Sequence, residues 1–211
     1  MAAQAGACIT DVMIEEAFEK ARMGVANEAP NTKTLERIAR HEAGHTLIAW
    51  LGGNQPIQVT IVGRGDAGGF MEREADEKRI LYTKTEIEQL IREAMGGRAA
   101  ELLYYGDEEG LSTGVSSDLS HASRWAARMV QEFGMDNGVG QIALADITGH
   151  SAADGPVGAR VARQARRIVD EQLKQALALL GKNRHDLDTL VAELLNKNRL
   201  TREEMKAILG S

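Results

Sequence analysis

His41-Glu42-Ala43-Gly44-His45 constrains this chain more than any other segment. Residues four apart share a face when the backbone is an α-helix. Asn31, Thr32 and Thr34 supply start signals, and Leu35, Ile38, Ala39, Leu47 and Ile48 carry an apolar helical pattern through the segment. Gly52-Gly53 stops it, so the pattern predicts a helix over 34–51. On that helix His41 and His45 can offer two imidazole nitrogens to one metal ion, and Glu42 can face a water beside it. Two ligands, one general base and one open coordination position are the arrangement of a zinc hydrolase that cuts peptide bonds.

Composition narrows the setting. A chain of 211 residues is enough for one sizeable domain, or one domain plus a short appendage. A net charge of −6 spread along the chain argues against a nucleic-acid binder, which carries a basic face. The cluster Arg160, Arg163, Arg166 and Arg167 is followed by Asp170 and Glu171 and reads as a solvated helix face. Aromatic residues are 4% of the chain, so aliphatic side chains and Met must build the core. Cys8 is the only cysteine, which excludes an internal disulfide and fits a reducing compartment. No apolar run approaches the ~20 residues that span a bilayer.

The patterning predicts a mainly α protein with a small β-sheet (α+β). The motif helix packs within a helical domain, and a helical bundle closes the C-terminus. An amphipathic helix is expected over 11–23, with a linker over 24–33. Alternation of Ile57, Val59 and Ile61 with polar neighbours predicts a strand over 57–62, and Phe70-Met71-Glu72 a second. Thr83 and Glu86 form a capping box for a helix that runs on through Gly96-Gly97 past Leu103. Glycines inside such a pattern cost about 1 kcal/mol each relative to Ala, which points to close backbone packing against the motif helix. A loop follows over 106–117, then a helix over 117–133 with Gly134 as its cap. The region 134–156 reads as irregular with a short strand at 141–144. Helices are expected over 157–180, 184–196 and 201–209, the last opened by a capping box at Thr201 and Glu204.

Two histidines hold zinc poorly, and a catalytic site has three protein ligands and a water. An HExxHxxGxxH extension is absent, because Ile48 and Leu51 occupy its later positions. Glu101, on a later helix, and Asp118, at the start of the 117–133 helix, both qualify as the third ligand. Glu93 and His121 stand behind them. The residues alone leave Glu101 and Asp118 both open.

Several blocks resemble the protease domain of FtsH-type AAA zinc metalloproteases. HEAGHTLIAWL is similar to the family's active-site helix. Gln58 through Gly65 resembles its VTIxPRG strand, Tyr82-Thr83 its YT pair, and Gly96 through Glu101 its GGRAAE segment. Ser112-Thr113-Gly114 through Asp118-Leu119 matches STGxxxDL, and Ala127 through Val130 with Phe133-Gly134-Met135 matches the blocks after it. They occur in family order from about residue 17 to 145. The resemblance implies Asp118 as the third zinc ligand. Glu101 becomes a residue that orients a ligand histidine. The strand at Val59, Thr60 and Ile61 becomes an edge for extended substrate.

The resemblance further implies one Zn²⁺ per chain, protein substrates, a homohexamer, and ATP used only by an ATPase module that these residues do not contain. No GxxxxGK[ST] segment is present, and residues 1–33 resemble the tail of such a module, which implies the C-terminal part of a longer protein; 34–211 is then the zinc metalloprotease domain. A membrane enters only if the full-length protein carries an anchor, and the implied location is the cytoplasmic, matrix or stromal side. Gly63 replaces the family's proline before Arg64, which alters the expected substrate edge. Two other functions fit the same residues: a proteolytically inactive scaffold or adaptor, and a zinc peptidase without a motor.

Overall fold

The computed structural model describes residues 24–28, 30–65, 68–74, 81–148 and 155–210, with residues 10, 13, 17, 20 and 21 ahead of them. The expected helix over 11–23 and Cys8 lie largely or wholly outside the described residues. Helix α1 (Thr32–Leu51) starts where Asn31 accepts a hydrogen bond from the Thr34 N–H at 3.0 Å, a side-chain cap. From Ala39 onward almost every side chain of α1 is buried, which makes it the central helix rather than a surface one.

Strands β1 (Gln58–Thr60) and β2 (Phe70–Glu72) pair antiparallel, with Val59 opposite Met71. A third strand, β3 (Arg199–Thr201), pairs on the other side of β1 and sets Leu200 opposite Val59. The sheet order is therefore β2-β1-β3. Strand β3 has three residues, too few for a period-2 pattern, and the sequence does not announce it. It forms because Leu200 is fully buried among the aliphatic side chains of α1 and β1.

Helices α2 (Lys84–Ala94) and α3 (Gly96–Glu109) follow, and the expected Thr83–Glu86 capping box is present in both directions. The glycine pair interrupts the helix there, since Met95 caps one helix and opens the next. The expected close approach is found at the same place. A Cβ on Gly96 would stand 2.8 Å from the Gly44 carbonyl oxygen and 2.9 Å from the His45 Cα, so α1 and α3 meet backbone to backbone. Helix α3 extends into the region expected as loop, with an interruption at Gly106. A single 3-10 turn (Thr113–Val115) leads into α4 (Ser116–Gln131).

No strand forms over 141–144. Among the described residues no other strand lies beside this segment to complete a ladder. Leu144 instead starts a short helix, α5 (Leu144–Thr148), and is buried against Val130 and Val161. The chain ends in α6 (Gly155–Lys182), α7 (Arg184–Lys197) and α8 (Arg202–Leu209), with the second capping box at Thr201 and Glu204. Leu47, Ile48, Leu180, Leu187, Leu190 and Leu194 are fully buried in one core that joins α1 to the C-terminal helices. Each contributes about 1.5–3 kcal/mol on burial. A second core joins α2, α4 and α6 around Ile87, Ile91, Ala126 and Met129. The first core holds α1, which carries the motif histidines, and the second holds α4, which carries Asp118.

A polar tie links α3 to α7. Tyr104 donates to Asp188 at 2.5 Å, and Arg184 donates to the same carboxylate at 3.0 Å. Burial would raise the Asp188 carboxyl, but Tyr104 and Arg184 outweigh it and hold it below its ordinary range. A depressed carboxyl contributes stability above its unfolded pKa of ~3.9, and that contribution disappears as pH falls through the folded value. Asp188→Asn should therefore be the less stable protein near neutrality, with the gap closing below about pH 4. The effect is small because the side chain is half exposed, and urea midpoints across that range measure it.

Candidate metal centre

The histidines of α1 meet the first turn of α4. His41 Nε2 lies 3.0 Å from His45 Nε2 and 3.2 Å from Asp118 Oδ2, and His45 Nε2 lies 3.3 Å from the same oxygen. Zinc bonds nitrogen and carboxylate oxygen at about 2.0–2.2 Å, so adjacent corners of a tetrahedral site stand about 3.3 Å apart. The three atoms form a triangle of nearly that size. Among the described residues, His41, His45 and Asp118 are the group whose donor atoms converge in this way.

The opposite ring nitrogens support the same reading. His41 Nδ1 is 2.8 Å from Glu101 Oε1, and His45 Nδ1 is 2.7 Å from the Glu93 carbonyl oxygen. A carbonyl can only accept, so His45 Nδ1 carries the hydrogen; an ionised Glu101 imposes the same tautomer on His41. Both Nε2 lone pairs are then turned toward Asp118. This is how histidine ligands are oriented in metal sites. The donor set therefore fits zinc.

Electrostatics favour a positive charge at this point. Burial pulls His41 down, but hydrogen bonds to Asp118 and Glu101 outweigh it and lift the imidazole to about 10. Burial would raise the Asp118 carboxyl; His41 and His45 hold it well below the usual range. Burial would raise Glu101 too, and His41 with Arg37 brings it down. Arg37 donates to Glu101 Oε2 at 2.7 Å and to the Glu109 carbonyl at 2.8 Å, which pins the carboxylate that holds His41.

Glu42 is buried beside the triangle, and burial raises its carboxyl against the opposing pull of His45 and His41. The backbone at Gly69 presses on it, since a Cβ there would stand 2.9 Å from Glu42 Cγ and 3.0 Å from Oε1. A cavity of about 830 Å³ opens over these groups, walled by Ile38, Phe70, Met71 and Leu90 among others. A second concavity of about 580 Å³ beside Phe133 and Ile142 brings no such donor group together among the described residues.

The remaining candidates fall elsewhere. Glu101 faces the far nitrogen of His41 and stays outside the triangle. The Glu93 carboxylate is fully buried and taken by Asn54, Gln89 and Arg73, so only its backbone carbonyl reaches the site. His121 lines the cavity and accepts from Trp125. The expectation that Val59, Thr60 and Ile61 form a free substrate edge is corrected. Strand β1 is central, paired on both sides, and those three side chains are buried. The edge strand beside the cavity is β2, through Phe70 and Met71. Sequence reasoning missed Arg37 and Gly69. Arg37 stands four residues before His41 and so shares its helix face, a signal that was there to read.

The model of peptidase family M41 matches residues 28–208, which include every residue of the site. An ATP-dependent zinc metalloprotease FtsH 2 of Symbiobacterium thermophilum is 35% identical over 179 residues, covering 83% of this chain and 30% of the relative. The FtsH 3 of Sphaerobacter thermophilus is 35% identical over 210 residues, covering 96% of this chain and 41% of the relative. The FtsH of Mycobacterium leprae is 34% identical over 220 residues, covering 98% of this chain and 28% of its own length. The chain thus spans well under half the length of these relatives. Because that family model matches well over half of the chain, from residue 28 to residue 208, the chain belongs to peptidase family M41.

Proposed function

We propose that this domain is a zinc-dependent endopeptidase, the proteolytic part of an ATP-dependent FtsH-like protease. The observation that carries the reading is the triangle of His41, His45 and Asp118 beside a buried Glu42. His41, His45 and Asp118 would hold one Zn²⁺. When bound, zinc supplies Lewis acidity that makes water more acidic and polarises a carbonyl. Glu42 takes a proton from the attacking water and returns it to the leaving amine. Glu101 and Arg37 keep His41 in register, and the Glu93 carbonyl does so for His45. Gly69 shapes the floor around Glu42.

Substrate is an extended, unfolded segment. It pairs with the β2 edge through main-chain hydrogen bonds, which ask little of its sequence. The apolar walls of the cavity hold one side chain beside the cleavage point. ATP acts through a module outside these residues, and the domains assemble as a homohexamer, which light scattering of the full-length protein reads directly. Among the described residues no helix is long and apolar enough to cross a membrane.

The zinc-loaded protein should hydrolyse casein, stop on treatment with a chelator, and recover with one equivalent of Zn²⁺. A protein that binds zinc but cuts neither casein nor short peptides is the scaffold instead. Cleavage of peptides alone marks a peptidase without need of a motor.

A further inference from the structure

This inference deepens the protease reading and rests on it. His121 follows Asp118 by three residues on α4, so the two share a helix face, and both line the cavity. Trp125, one turn further, donates its indole N–H to His121 Nε2 at 2.9 Å. An indole N–H can only donate. His121 Nε2 therefore carries no hydrogen, and the ring hydrogen of the neutral imidazole sits on Nδ1.

The two nitrogens lie on opposite edges of the ring. With Nε2 taken by Trp125, the Nδ1–H is the remaining polar group of a ring that lines the same cavity as Asp118. Among the described residues none accepts that hydrogen. The supporting indole is itself held, with the Tyr82 ring 5.5 Å away and the Arg128 guanidinium 5.0 Å from its ring. Burial, Arg73 and Arg124 push His121 below its ordinary range while Asp118 opposes them, which keeps the ring neutral. Arg73 stands on the same wall, but its guanidinium lies 2.6 Å from the Glu93 carboxylate and is committed to it.

We propose that the His121 Nδ1–H donates a hydrogen bond to the oxyanion formed when water adds to the scissile carbonyl. In that step the water oxygen bonds to the carbonyl carbon, the C=O π pair moves onto oxygen, and Glu42 takes the water's proton. Collapse breaks the C–N bond, and the same proton passes to the departing nitrogen. A donor fixed in advance at the carbonyl oxygen stabilises the charged state more than the substrate, so it acts on kcat.

The test uses zinc-loaded protein, with zinc content measured for each variant, a fluorogenic peptide as substrate, and a phosphinate peptide as the oxyanion mimic. His121→Phe should lower kcat roughly 10²-fold with KM little changed. Its phosphinate affinity should fall by a similar factor while affinity for the parent peptide stays. His121→Gln, which keeps a donor, should recover part of the loss. Imidazole ¹⁵N NMR of the wild type should show His121 with its hydrogen on Nδ1, and Trp125→Phe should release that tautomer and cost a smaller part of kcat.

A wild-type kcat in His121→Phe, a loss confined to KM, loss of zinc from that variant, or an Nε2–H tautomer in the wild type each overturns the proposal and leaves the protease reading standing. A wild type that holds zinc and cuts no peptide overturns both.

Discussion

Glu42→Gln should keep one zinc per chain and lose casein hydrolysis by about 10²–10⁴-fold, the range contributed by general-base catalysis. Glutamine has nearly the shape of glutamate, so it fits the floor that Gly69 presses against Glu42. It cannot take a proton from water. Glu42 stands outside the converging group of His41, His45 and Asp118, so zinc content should not change. Two measurements, bound zinc and casein turnover, separate the roles. Retained hydrolysis removes Glu42 as the base, and joint loss of zinc would make it part of the metal site instead.

Gly97→Ala should cost zinc affinity at least about 10-fold, the scale seen when the support of a metal ligand is disturbed. A Cβ at this position would stand 2.5 Å from His41 Nε2 and 2.6 Å from Nδ1. The ring has nowhere to go, because Glu101 holds one nitrogen and the other faces His45 and Asp118. Either the ring tilts out of the triangle or α3 moves away from α1, and overpacking of this kind costs about 1–3 kcal/mol. Gly181→Ala is the control: nothing lies within 4 Å of its Cβ in the last turn of α6. It should keep zinc and gain up to about 1 kcal/mol of stability from helix propensity. Zinc titration and thermal melting read both variants. Wild-type zinc affinity in Gly97→Ala would mean that the histidine ring is not confined by α3.

The helical elements were legible because their signals are local. Asn31, Thr83 and Thr201 cap their helices as their positions imply, and the apolar spacing around Ile87 and Ile91 does face a core. Gly96 and Gly97 were readable as a contact with the motif helix, since glycine in a strong helical pattern has few other uses. Failures came where a neighbour decided the outcome. Residues 141–144 have strand-like composition and, among the described residues, no strand to pair with. Arg199–Thr201 has little strand signal, yet pairs with β1 because Leu200 completes the core. Strand β1, expected as a substrate edge, becomes central through that same distant pairing.

The chain's own letters settled that two imidazoles share a helix face with a carboxylate beside them, because that relation needs nothing beyond the α-helical repeat. They left Glu101 and Asp118 equal as partners until the family resemblance was weighed, for a carboxylate far along the chain has no local geometry. Folding makes the distinction. It brings Asp118 from 77 residues away to the Nε2 side of His41 and sets Glu101 on the Nδ1 side. The same acidic chemistry thus faces two nitrogens of one ring, and only the packing of α3 and α4 around α1 decides which of them faces the converging lone pairs.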